Sequence, residues 1–431
     1  MIVAASSITL LSFRLKTRLS RRGVLRAALA ALGAAVVFLP NDTIAQTLRL
    51  TVDEAVARAK ANPANFDPTD LNLAKAQLVR SGVLLPSNPF FGGGAQRTSQ
   101  MDVPNNYAFF LQQEFEIAGQ RGKRVEAATQ AVAQQEWQQR QAQLTLAATV
   151  KSTFVTALIH QSRVTLAERS LDATRELTAE VTRKRSTSDT ERIERNIAEI
   201  QETRAERRVA ASERDRDVVL STLRQLVGVP PEQPLELVGS PQTEVKEIPS
   251  LELLTARALG QRPDAIALRH GVHKADLELT VQEREKIPNI TLFGSISRFE
   301  DDFLAGGDLG FPIPVFQRGT ADVLEAATER NRAGAELQRL ERTIQTEVTD
   351  AYRAYLVAAG DLTALHQVVV PKSEENVEIE QRLFDKDEVE ASDLIGIQTD
   401  LLTARGDYLD ALEAYNDALI ELERVVGGPL D

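Results

Sequence analysis

The stretch from Ser392 to Val426, SDLIGIQTDLLTARGDYLDALEAYNDALIELERVV, decides the fold. Within it Leu394, Ile397, Leu401, Ala404, Tyr408, Ala411, Tyr415, Ala418, Leu422 and Val425 step by 3, 4, 3, 4 without a miss. That spacing is the seam of a left-handed coiled coil. A second stripe, Ile395, Leu402, Leu409, Leu412, Leu419 and Val426, lies beside it. One helix with two adjacent seams has two neighbours, as in a closed ring of helices. A helix of an ordinary bundle is the plainer alternative.

Working outward, the chain repeats itself. Gln120-Arg121-Gly122 recurs as Gln317-Arg318-Gly319 at a spacing of 197, and Glu126-Ala127-Ala128-Thr129 recurs as Glu325-Ala326-Ala327-Thr328 at 199. Leu226-Val227-Gly228-Val229-Pro230 corresponds to Val425-Val426-Gly427-Gly428-Pro429, again at 199. Between the copies, residues 230–249 hold five prolines, which break any helix. The expected organisation is an export signal at 1–45, a first repeat at 46–229, a proline-rich linker at 230–249 and a second repeat at 250–431.

Each repeat has the same order of signals: a helical segment (51–84, then 251–286), a proline, a pair of short strand-like stretches and a long helical hairpin. Residues 120–183 contain no proline and, after Gly122, no glycine. At 1.5 Å per residue such a helix reaches roughly 90 Å. A break at Ser186-Thr187-Ser188-Asp189 turns it into a second long helix ending at Gly228. In the second repeat the long helix is expected from 318 to 384, with its partner starting near Ser392. Sixteen of the 29 residues from Asp189 to Asp217 are charged, so the first repeat's last helix reads as a solvated outer face with no chemistry of its own.

Ile290, Leu292, Gly294 and Ile296 alternate with Thr291, Phe293, Ser295 and Ser297, and Phe109, Leu111, Gln113 and Phe115 alternate with Ala108, Phe110, Gln112 and Glu114. Such alternation suits a membrane β-strand. Two weaker candidates lie at Phe90–Met101 and Leu309–Val315. Past residue 45 no apolar run approaches the roughly 20 residues of a spanning helix, so a membrane crossing calls for a β-barrel. Four strands cannot close one, whereas three chains supply twelve and leave no edge.

In this order of elements the chain resembles the TolC family of outer-membrane efflux channels, over essentially all of residues 46–431. Gln113-Glu114-Phe115-Glu116-Ile117-Ala118-Gly119-Gln120-Arg121-Gly122-Lys123-Arg124 is similar to the strand-to-helix segment of the CzcC-like, heavy-metal branch. Asp393-Leu394-Ile395-Gly396-Ile397-Gln398, with Ala404-Arg405 and Asp407-Tyr408-Leu409, is similar to that branch's last helix. The resemblance implies a mainly α fold with a small β part. Long antiparallel helical hairpins form an α-barrel, and four strands per chain contribute to a trimeric, twelve-stranded β-barrel in outer-membrane lipid. It also implies a periplasmic adaptor and an inner-membrane resistance-nodulation-division pump as partners, with heavy-metal cations as cargo. Drug or solvent export, and a soluble periplasmic coiled-coil adaptor or scaffold, are the alternatives.

The first 45 residues fit export. Arg14, Lys16, Arg18, Arg21, Arg22 and Arg26 precede an apolar stretch from Ala27 to Leu39, and Thr43-Ile44-Ala45 ends in a small residue suited to cleavage. Ser20-Arg21-Arg22-Gly23-Val24-Leu25 also resembles a twin-arginine signal, but a barrel precursor must stay unfolded, which favours the general secretory route. Removing this segment takes away six basic residues and one acidic one, so the formal charge moves from −12 to −17 over 386 residues. A chain so acidic is a poor nucleic-acid binder. The absence of cysteine excludes disulfides, thiolate metal sites and a cysteine nucleophile. No nucleotide motif or Ser/His/Asp cluster stands out, so neither an enzyme nor a cofactor is expected. His270 and His273 sit three apart on a helix without Cys or Met to complete a site, and read as structural, as do His160 and His366.

The hairpin tips carry opposite charge. Arg183, Lys184 and Arg185 lead into the first, whereas the second holds Asp385, Asp387, Glu388, Glu390 and Asp393. In the family the second tip usually turns with a glycine, absent here, and the aperture often carries two acidic residues three apart. Asp393 matches the first and Gly396 replaces the second. The site expectation is an aperture of Asp393, Glu390 and Asp387, because a carboxylate ring on a three-fold axis attracts cations. Its charge partners are Arg183, Lys184, Arg185, Asp385 and Glu388.

Overall fold

The structure, a computed structural model, describes residues 47–82, 88–96, 106–183, 189–299, 302–316, 318–386 and 388–430, so the expected export signal lies outside it. The chain opens with β1 (Leu48–Leu50) and α1 (Val52–Ala61). Thr51 Oγ1 accepts from Glu54 N at 3.4 Å, and the Glu54 carboxylate accepts from Thr51 N at 2.9 Å, a reciprocal cap that starts α1. A 3₁₀ turn at Pro63–Asn65 precedes α2 (Thr69–Ser81). The single helical segment expected at 51–84 is therefore two helices, and the one expected at 251–286 is also two, α5 (Leu251–Gln261) and α6 (Pro263–Glu285). The breaks fall where a residue before proline is forced out of the helical region, at Asn62 (ψ 114°) and Arg262 (ψ 128°).

Between these pairs run β2 (Phe90–Gln96), β3 (Asn106–Phe115), the 64-residue α3 (Gln120–Arg183), α4 (Asp189–Val227) and β4 (Leu235–Leu237). After α6 come β5 (Ile290–Phe299), β6 (Asp302–Gly310), α7 (Thr320–Ala364), α8 (Val370–Phe384) and α9 (Ala391–Val426). A π-turn at Leu365–Val369 joins α7 to α8 without ending the helix. Pro371 explains it: proline donates no hydrogen bond and crowds the preceding turn, and one wide turn absorbs the misfit.

The strands form one antiparallel sheet in the order β2-β3-β5-β6. The fourth strand lies at 302–310 and not at the expected 309–315. Pro312 and Pro314 cannot donate to a ladder, and the glycine-rich Asp302–Gly310 takes the place beside β5. One 18-residue window of α3 reaches a mean hydropathy of 1.3, so among the described residues one helix is, by length and composition, apolar enough to cross a membrane, contrary to the sequence expectation. That helix also carries Lys151 and Arg163, both bonded to α9.

Each stretch of α3 is covered twice. Its first part packs against α2 and α6, and its later part against α4 and α9, while α7 packs against α6 and α9. The long helices thus lie side by side, and midway along them the short helices α1 and α5 pack across α3 and α4 and across α7 and α9. The main core gathers Leu254, Ile344, Val348, Tyr355, Leu362, Tyr415 and Leu422 where α5, α7 and α9 meet. A second joins Leu50, Ala55 and Ala59 to Val150, Phe154, Leu223 and Val227. The segment 230–249 is strapped over these cores. β4 pairs in parallel with β1, the Gln242 backbone exchanges hydrogen bonds with the Asn416 amide, and the Tyr355 hydroxyl donates to Lys246 O at 2.6 Å.

Candidate functional site

The register of the sheet sorts its residues onto two faces, because opposed residues of neighbouring strands point the same way. Phe91 opposes Leu111, Phe109 opposes Ile296, and Leu292 opposes Leu309. With Phe115 and Phe303 these make one face apolar, and Phe91, Phe109, Leu111, Leu292, Ile296, Phe303 and Leu309 are each 46–69% exposed. Tyr107, Gln113 and Arg298 are its only large polar members among the described residues, and Tyr107 opposes Arg298 at the far end. The other face holds Gln96, Asn106, Gln112, Glu114, Thr291, Ser295, Ser297, Asp302 and Asp308, with Phe90, Phe110, Phe293 and Leu304 among them. The sheet thus has one apolar face and one mainly polar face, and its outer strands β2 and β6 have one neighbour each.

The motif Gln113–Arg124 forms the joint between sheet and helix. Gly119 and Gly319, 200 residues apart, take positive φ of 74° and 63° where the chain leaves the sheet region for α3 and α7. The guanidinium of Arg284 fills the space beside Gly119 and donates to its carbonyl at 3.0 Å. Gln120, 1% exposed, donates to Asn289, whose amide donates to Glu114 at 2.9 Å. Arg124 pairs with the Glu116 carboxylate, and Arg121 donates to Gly82 O at 2.6 Å. These bonds tie the base of β3 and the residue before β5 to α2, α3 and α6 at one corner.

Along the wall α3 and α9 are held by a ladder of polar pairs. Lys151 bonds Glu423 at 2.9 Å, Ser152 donates to Asp417 at 2.6 Å, and Arg163 bridges Asp410 and Glu413 at 2.5 and 2.9 Å. Burial raises the Asp417 pKa above its ordinary value, against the Ser152 bond that lowers it, with Glu413 adding to the rise. Burial also raises the Tyr408 hydroxyl. His270 Nδ1 lies 2.7 Å from Gln130 Oε1, and the His366 ring packs on Tyr408 at 5.7 Å. Among the described residues no group of three or more His, Cys, Asp or Glu is placed to hold a metal.

At the hairpin tips Asp385, Glu388, Glu390 and Asp393 are exposed, as is Arg183, whereas Lys184, Arg185 and Asp387 lie outside the described residues. At the start of α9 the Glu390 N–H donates to the Asp393 carboxylate at 3.4 Å, a capping role the sequence reading missed although acidic residues three apart at a helix start announce it. The described bond of Arg183 is to Ala179 O in its own helix. Among the described residues an apolar cluster joins the two tips: Leu177 and Val181 pack with Phe384, Ala391, Leu394 and Ile395.

No family model matches the chain. The cobalt-zinc-cadmium resistance protein CzcC of Cupriavidus metallidurans is 23% identical over 339 residues, 77% of this chain and 77% of that protein. Among solved structures, CusC, described for conformational changes accompanying folding and transmembrane channel formation, matches with a TM-score of 0.75 at 17% identity, over 88% of this chain and 92% of its own. The open state of the Neisseria gonorrhoeae MtrE outer-membrane channel matches at 0.74 and 19% identity, over 88% and 89%. The resemblance drawn from the motifs is borne out: this chain has the fold of the TolC-type channels, long helical hairpins with a small β part.

Proposed function

We propose that three copies of this chain close an outer-membrane channel that passively passes heavy-metal cations from an inner-membrane resistance-nodulation-division pump and a periplasmic adaptor to the exterior. Residues 1–45 direct export, and the rest stands in the outer membrane and reaches into the periplasm. The observation that carries this reading is the two-faced sheet with one-neighbour outer strands, bonded at one corner to the long helices. A lone sheet exposing that much apolar surface is unstable in water, and joining β2 of one copy to β6 of the next removes both edges. The likeness to a cobalt-zinc-cadmium resistance protein supports metal cargo. Light scattering of detergent-purified protein is expected to give a trimer, and a monodisperse monomer overturns the channel. Deletion of the gene is expected to sensitise cells to divalent metals, and unchanged metal tolerance overturns the cargo assignment.

The aperture is proposed at the tips, with Asp393, Glu390 and Asp387 ringing the axis. Arg183, Lys184 and Arg185 of one hairpin meet Asp385 and Glu388 of another and hold the tube closed until an adaptor binds. Each exposed pair contributes only about 0–1 kcal/mol, but three-fold symmetry repeats it. Neutralising Asp387→Asn, Glu390→Gln and Asp393→Asn together keeps the oxygens that cap α9. Planar-bilayer recordings at low salt are expected to show higher conductance and weaker cation selectivity, and unchanged values overturn this gate.

A further inference from the structure

The aqueous face of the sheet carries an aromatic row that polar alternation does not call for. Phe90 on β2, Phe110 on β3 and Phe293 on β5 run diagonally across three strands, with centroids 5.6 Å apart for the first pair and 5.4 Å for the second. All three are on the face opposite the apolar one, so lipid does not account for them. Phe90 is 58% exposed, and the row is therefore open to whatever occupies that side. Room for it is built in: a Cβ on Gly92 would lie 2.6 Å from the Phe110 ring. Asp308 is the Cα partner of Phe293, one strand over, so the row ends beside a carboxylate. Charged side chains of these strands on this face are Glu114, Asp302 and Asp308, all acidic among the described residues.

Adjacent phenyl rings with carboxylates and, among the described residues of these strands, no basic side chain on their face select one chemistry. A hydrated metal ion gains from the carboxylates but nothing from the rings, which it cannot approach without shedding water. An organic cation bearing apolar groups gains from both, since ring faces attract cations and its apolar groups lose contact with water. We infer that Phe90, Phe110 and Phe293, with Asp308, form a binding site for hydrophobic organic cations on the inner wall of the barrel. The site rests on the channel reading, which makes this face the lumen.

The test is potassium current through the full-length protein in planar bilayers, with tetraphenylphosphonium as the probe added to either side. Parent pores are expected to be blocked. Phe110→Leu and Phe293→Leu, which keep apolar bulk and remove the ring, are expected to weaken the block about tenfold, measured against each variant's own unblocked potassium current. Phe293→Tyr is expected to retain the block, Asp308→Asn to weaken it, and Phe109→Leu on the opposite face to leave it as in the parent. Conducting pores that the probe does not block, or that it blocks equally in the Phe→Leu variants, overturn this site and leave the channel intact. A protein that forms trimers yet no pores overturns the channel reading and the site together.

Discussion

The two halves of the chain turn the same corner with different chemistry. In the first, α1 stops at Asn62-Pro63, and the Asn65 amide donates to Ala59 O at 2.8 Å and to Leu226 O, near the end of α4, at 2.9 Å. In the second, α5 stops at Arg262-Pro263, and Arg262, 3% exposed, donates to Asp264 at 2.6 Å, Glu347 at 2.5 Å and Val425 O, near the end of α9, at 3.4 Å. Burial alone would lower the Arg262 pKa, but the two carboxylates outweigh it and raise it. Leu226 and Val425 are 199 residues apart, as are Gly228 (φ 69°) and Gly427 (φ 98°), which end those helices. The lesson is that topology fixes where a short helix must tie down the end of a long one, and leaves open which side chain does it. A neutral amide suffices beside α4, whereas the second corner also reaches α7 and uses a charge to do so.

The largest test of this contrast is Arg262→Ala. It takes the guanidinium from Glu347 and leaves Asp264 only the Ala265 N–H, and a loss of about 3 kcal/mol in unfolding free energy is expected. Asn65→Ala is expected to cost about 1–2 kcal/mol. Denaturant unfolding of the detergent-solubilised protein compares them, and equal losses break the distinction between a charged and a neutral corner.

Next come the glycines. A side chain at either positive φ is strained by about 1–2 kcal/mol. Gly427→Ala is expected to cost more than Gly228→Ala. Its Cβ meets the Arg262 backbone at 3.3 Å, whereas the Cβ at 228 meets the Asn62 amide at 3.0 Å, which can turn aside. The reverse order in the same unfolding assay would show that the first corner is the more tightly packed.

The smallest effect concerns the seam between the halves. Asp417 binds its proton more tightly in the fold than in the unfolded chain, so stability falls as pH rises from the ordinary carboxylate range through the raised value. Asp417→Asn removes that slope while keeping an acceptor for Ser152. Thermal midpoints are expected to favour the variant slightly at neutral pH and to converge with the parent in acid. A parent that gains stability across that window has Asp417 placed in the wrong environment.

The coiled-coil seam was legible because it rests on period alone, and none of its ten residues from Leu394 to Val425 is left exposed in the single chain. β3 and β5 were legible for the same reason, with alternation marking both faces. Asp302–Gly310 was not, since a glycine-rich strand has no alternation to read and takes its place from β5. The breaks at Asn62-Pro63 and Arg262-Pro263 were written in the prolines but masked by helical sequence on either side. The tips were legible as charges only. Their apolar joint among Leu177, Val181, Phe384 and Leu394 brings together residues some 200 apart, and the capping role of Glu390 and Asp393 competes with their reading as an aperture.

By itself, then, the sequence determined most element types and the amphipathic faces, because period, proline and glycine act through the backbone within a few residues. Which elements touch was decided by tertiary structure. Lys151 finds Glu423 at a separation of 272 residues, Ser152 finds Asp417 at 265, and Phe90 meets Phe110 and Phe293 only through the strand register. Such contacts form where helices and strands already built bury their apolar faces together, so distance along the chain carries no trace of them.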